Sequence, residues 1–141
     1  MKILLLLFGG LLTGCLLFAQ TDEGTLARVP LEHYLKGHAT GDGSHMRKAF
    51  LPTAHIEGIR NGKFTSWTLD QYVALFKGGG PSPEEPKRKR WIERVEVTGN
   101  AAIATIQFDY PNTKITDYLV LLKVDGEWRI ANKVYTFAPK P

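Results

Sequence analysis

Two carboxylates and one imidazole are the residues of this chain whose placement can do chemistry. Tyr34 and His38 are four residues apart, so on a helix both side chains leave the same face, one turn apart. An imidazole placed there can take or give a proton near neutral pH. Asp117 and Asn132 fall in two long apolar segments joined by Asp125-Gly126, a two-residue hairpin turn. Counting outward from that turn pairs Val124 with Glu127, Lys123 with Trp128, Leu121 with Ile130, Leu119 with Asn132 and Asp117 with Val134. Side chains alternate along a strand, so Asp117, Leu119, Leu121, Trp128, Ile130 and Asn132 share one face. A carboxylate and an amide on such a wall can hold a polar ligand group, and the carboxylate can abstract a proton from an enolisable substrate. Gly99-Asn100 is a second hairpin turn, pairing Val97 with Ala102, Val95 with Ala104, Glu93 with Ile106 and Trp91 with Phe108. Glu93 is the one charge on that face and needs a partner or water. The candidate catalytic groups are Asp117 and His38. The candidate ligand-binding set is Tyr34, His38, Trp91, Glu93, Phe108, Asp117, Trp128 and Asn132.

Other chemistries are disfavoured by spacing. His33, His38, His45 and His55 are separated by five, seven and ten residues, with no helical i,i+4 pair and no alternate-residue pair, so no metal site is expected. Gly78-Gly79-Gly80 follows a helical segment and precedes a proline, which makes it a helix stop and not a phosphate cradle; no cofactor is implied. No serine stands in a nucleophile-elbow pattern. The basic run Lys87-Arg88-Lys89-Arg90 is half balanced by Glu84 and Glu85 and reads as a solvated loop, not a nucleic-acid contact.

The elements that must position these residues are legible in the apolar periodicity. Leu26, Val29, Leu31, Tyr34, Leu35 and His38 recur at the helical period, with Pro30 suited to a first turn. Gly41-Asp42-Gly43 stops that helix, and Ser44 caps a short one over His45 to Phe50. A strand over Ala54 to Arg60 turns at Asn61-Gly62 and returns as Lys63 to Trp67. Thr68-Leu69-Asp70-Gln71 is a capping box for a helix reaching Lys77. Residues 78–90 form a loop, followed by a four-strand meander over Trp91 to Thr98, Ala101 to Tyr110, Lys114 to Val124 and Glu127 to Phe137. Helices first and long strands afterwards predict an α+β domain. Tyr118, Val120, Leu122 and Tyr135 fall on the face opposite Asp117, an apolar surface that another subunit would cover.

The chain of 141 residues is 43% hydrophobic and 23% charged with a net charge of +4, a globular composition of one domain. Lys2 followed by an apolar run to Leu12 and small residues up to Ala19-Gln20 predicts a signal peptide over residues 1–20, hence an exported protein, periplasmic or secreted. No later run reaches the ~20 apolar residues of a transmembrane helix. Leu12-Thr13-Gly14-Cys15 resembles the lipobox of bacterial lipoproteins, which makes lipid anchoring at Cys15 the alternative to cleavage near Ala19-Gln20. Cys15 is the only cysteine, so the remainder is stabilised by its core and not by disulfides.

Tyr34-Leu35-Lys36-Gly37-His38, Gly41-Asp42-Gly43-Ser44-His45-Met46-Arg47-Lys48-Ala49-Phe50, Ile59-Arg60-Asn61-Gly62-Lys63 and the closing stretch from Asp117 to Tyr135 resemble the putative lumazine-binding family. That family belongs to the nuclear transport factor 2-like superfamily, which includes ketosteroid isomerase and polyketide cyclases. The resemblance covers residues 26–137. It implies a curved antiparallel sheet with three helices on its concave face, a cone-shaped cavity between them, and homodimers through the open sheet face. It also implies a small hydrophobic or aromatic ligand, with a small isomerase or cyclase using an Asp or His base as the alternative function. A histidine expected after Phe50 is Leu51 here, and Thr53 stands where an acidic residue is common.

Overall fold

A computed structural model describes residues 22–141. The leader reading for residues 1–20, with Cys15, lies outside these residues. Helix α1 spans Glu23–Thr40, α2 Ser44–Ala49 and α3 Leu69–Val73; strands are β1 His55–Arg60, β2 Lys63–Thr68, β3 Lys89–Thr98, β4 Ala101–Tyr110, β5 Thr113–Val124 and β6 Glu127–Pro139. No described helix is long and apolar enough to cross a membrane.

Helix α1 begins one turn earlier than its apolar period suggests, because Asp22 accepts from the backbone N–H groups of Gly24 and Thr25. Pro30 is thereby placed inside the helix, not in its first turn, where it leaves the Leu26 carbonyl without its helical donor. The αL residue Gly41 closes α1 at φ 69° and its N–H returns to the Gly37 carbonyl. The Thr68–Gln71 capping box opens α3 as expected, though the regular helix stops at Val73.

The sheet order is β2-β1-β6-β5-β4-β3. All neighbours are antiparallel except β1 and β6, which run parallel, so the sheet is mixed where the resemblance implied an antiparallel one. Two irregularities bend it. In β3, Glu93 is an extra residue between the pairs Ile92–Ile106 and Arg94–Thr105; in β6, Ala131 is extra between Ile130–Leu121 and Asn132–Val120. The helices cover the concave face, where Leu31, Met46, Phe50, Ile56, Ile106, Leu119, Leu121 and Ile130 are fully buried. Each such side chain contributes about 1.5–3 kcal/mol of transfer free energy. The opposite face leaves Ile103, Tyr118, Val120, Leu122 and Val134 exposed. Tyr135 is not among them: the Ala131 bulge turns it inward and puts Val134 in its place.

Candidate functional site

A cavity of about 210 Å³ opens between α1, α3 and the β6 end of the sheet. Its walls are aromatic: Trp67, Tyr72, Phe76, Phe108, Tyr135 and Phe137 line it with Ile56, Leu75 and Ile115. Trp67 and Tyr135 stack with their planes 11° apart. The Tyr135 ring lies over Gly58, where a Cβ would come within 2.7 Å of ring carbons, and its hydroxyl bonds Thr65 Oγ1 at 2.5 Å.

The polar part of the cavity is one connected cluster. Tyr34 projects from α1 and donates its hydroxyl proton to Asp117 Oδ2 at 2.5 Å. Lys133 Nζ donates to the same Tyr34 oxygen at 2.7 Å and to Asp117 Oδ2 at 3.1 Å. Tyr72 from α3 stands 3.3 Å from the Tyr34 hydroxyl and 3.0 Å from His38 Nε2. Tyr34 has one proton, and Asp117 holds it. The Tyr72 proton therefore goes either to Tyr34 or to His38, and the His38 tautomer follows that choice.

Asp117 is 0% exposed and Lys133 5% exposed. The ammonium also lies 5.0–5.2 Å from the ring centroids of Tyr34, Tyr72 and Tyr135. Burial works against the Lys133 charge, yet Asp117 and then the Tyr72 oxygen raise its pKa above the ordinary lysine value and keep it an ammonium. Burial and the Asp117 carboxylate push the Tyr34 phenol well above 10, and burial also raises that of Tyr72. Burial, then the positive charges of Lys133, Arg90 and Arg88, hold His38 well below the usual imidazole range, so it is neutral. Two capacities stay unused. Asp117 Oδ1 is buried with no partner among the described residues, and two of the three Lys133 protons have acceptors.

Of the residues singled out from sequence, the structure brings Tyr34, His38, Phe108 and Asp117 together at the cavity. The other four are elsewhere. The Glu93 bulge pairs Trp91 with Gln107 instead of Phe108, leaving Trp91 exposed, and Glu93 accepts from Gln107 Nε2 at 2.9 Å on the outer face. Asn132 is exposed and its Oδ1 accepts from the His55 backbone at 2.7 Å, which ties β6 to β1. Trp128 is buried on the concave face but away from the cavity, donating its Nε1–H to Glu23 at 2.8 Å. Lys133 and Tyr72 were not singled out. A hairpin count without the bulge puts Lys133 on the outer face. The usable signal was Asp117 itself, since a carboxylate on an apolar wall calls for a cation, and one slipped residue supplies Lys133.

Comparison with known proteins agrees with this architecture. A nuclear transport factor 2-like protein of unknown function from Shewanella baltica superposes with a TM-score of 0.74 at 31% identity, covering 84% of this chain and 95% of its own. A ketosteroid isomerase-like protein from Erwinia carotovora atroseptica shares the fold with a TM-score of 0.65 at 12% identity, over 86% of this chain and 99% of that one. Among curated proteins, Aldolase FrzH of a Cladobotryum species is 28% identical over 109 residues, 76% of this chain and 85% of that protein. The family model described as Putative lumazine-binding matches residues 22–136, and the chain belongs to that family within the nuclear transport factor 2-like fold.

Proposed function

We propose that this protein binds a small planar aromatic ligand carrying an adjacent N–H donor and carbonyl acceptor, with that edge seated on Asp117 and Lys133. The orphaned Asp117 Oδ1 carries the reading. An unsatisfied buried carboxylate oxygen is costly to stability, on the order of 1–3 kcal/mol, and a ligand donor supplies its missing bond. The spare Lys133 proton is the complementary donor to a carbonyl. Lumazine, the ligand in the family's description, has such a lactam edge and a flat ring suited to the Trp67–Tyr135 wall. The test is calorimetric titration with lumazine. One site per chain is expected, weakened about tenfold by Asp117→Asn, whose amide cannot accept the ligand N–H while its oxygen holds Tyr34 and Lys133. Absence of binding to lumazine and to 2-quinolone, a simpler lactam, would overturn the reading.

The aldolase-named relative favours a second reading, in which the same groups act on an enolisable ketone. Lys133 and Tyr72 would hold the developing enolate oxygen and Asp117 Oδ1 would take the α-proton. Exchange of α-deuterium from a bound ketone, followed by NMR, separates catalysis from binding. In either case we place the protein outside the cytoplasm on the strength of residues 1–20, and pair two copies through the outer sheet face.

A further inference from the structure

The cavity has a second polar group at its mouth. Arg60, the last residue of β1, is exposed, lines the cavity and lies with its guanidinium carbon 4.9 Å from the Phe137 ring centroid. No acid pairs with it among the described residues. Its cross-strand partner is Lys63, also basic, and like charges facing each other across a ladder are destabilising. The lining groups carry charge unevenly. Lys133 is balanced by Asp117 at 3.1 Å, His38 is neutral, and Arg60 is uncompensated, so the cavity presents one net positive charge.

We infer that Arg60 is a specificity-determining anion receptor and that the ligand is an aromatic acid, its carboxylate at Arg60 and its polar edge at the Asp117–Lys133 end. The geometry sets its length. Ile56 pairs with Lys133 and Ile59 with Thr136, so Arg60 stands four residues along β1 from the level of Lys133, about 13 Å by strand rise before the two long side chains reach inward. A fused bicyclic ring with a carboxylate on the ring remote from the lactam spans the gap between the two cationic heads. Contact with the Phe137 ring holds the guanidinium at the rim, where its fork of N–H donors can meet a planar carboxylate.

This inference rests on the lactam reading above, and the test separates the two. Lumazine-6-carboxylate and lumazine-6-carboxamide differ in charge and little in shape. The full-length protein should bind the acid about tenfold more tightly than the amide, with the difference shrinking as salt is raised. Arg60→Gln should abolish that preference by bringing acid binding down toward that of the amide, and Asp117→Asn should weaken both ligands by the same factor. Equal binding of acid and amide, or a preference that survives in Arg60→Gln, overturns the anion receptor while the lactam site stands. Failure of both ligands to bind overturns both. Arg60 is exposed at a hairpin end, so its substitution leaves the core intact, which an unchanged melting temperature will confirm.

Discussion

Replacing Lys133 by methionine probes the centre of the site and the fold together. The side chains are similar in length, so the substitution removes the charge and little volume. In the native chain the Asp117 carboxylate, 0% exposed, is stabilised by two donors on Oδ2. Without the ammonium only the Tyr34 hydroxyl remains, and an uncompensated buried charge is destabilising by about 3–5 kcal/mol. For a domain of this size that lowers the melting temperature by roughly 10–25 °C. The second arm is the double variant Lys133→Met, Asp117→Asn, which removes both charges and should return to within about 1–2 kcal/mol of the native protein. Urea unfolding followed by far-ultraviolet circular dichroism measures the cycle. A loss under about 1 kcal/mol in the single variant, or a double variant no more stable than it, would refute the claim that this pair is buried and coupled.

Stability should also fall as pH drops below about 6.5. The folded chain holds His38 far below the value it has when unfolded, so its contribution is present above the unfolded pKa and is lost toward the folded one; His33, lowered first by burial and then by His45, adds in the same direction. His38→Gln should flatten that slope in pH-dependent melts more than His33→Gln does. Gly58→Ala puts a methyl where the Tyr135 ring lies, and should displace the ring, lower stability by about 1–3 kcal/mol and weaken ligand capture in the same titration. Val120→Glu, on the exposed outer face, should convert a dimer to a monomer in light scattering, and a native monomer would end the pairing proposal. Cys15→Ser should leave a soluble exported product unchanged if cleavage occurs near Ala19-Gln20, and should abolish membrane association if the thiol is lipidated.

What the sequence made legible was whatever a local rule controls. Thr68 with Gln71, Asn61-Gly62 and Asp125-Gly126 each specify a cap or a turn by their own chemistry, and all three occur. Tyr34 and His38 could be placed together because four residues of helix fix their common face. Register is local too, but only as far as the ladder is regular. Val95 with Ala104 and Leu121 with Ile130 pair as the turns dictate; beyond Glu93 and Ala131 every inward residue is exchanged for its neighbour. Trp91 and Asn132 were lost and Lys133 was missed for this one reason. The parallel pairing of β1 with β6 was invisible because no turn connects them.

The two bulges are also what make the site possible. A regular ladder of this length would keep its alternation, placing Asn132 beside Leu119 and Lys133 on the face away from the helices, with Asp117 left to the Tyr34 hydroxyl and no cation. A buried carboxylate without a cation is costly. The residue inserted at Ala131 rotates the rest of β6, so that Lys133, Tyr135 and Phe137 all face the cavity, and the strand bends there. The extra residue at Glu93 does the same for β3 at the other edge, sending a charge outward and curving the sheet around α1. Curvature and chemistry thus have a common cause: the insertion that bends β6 along the cavity also delivers the lysine that pairs with the buried carboxylate.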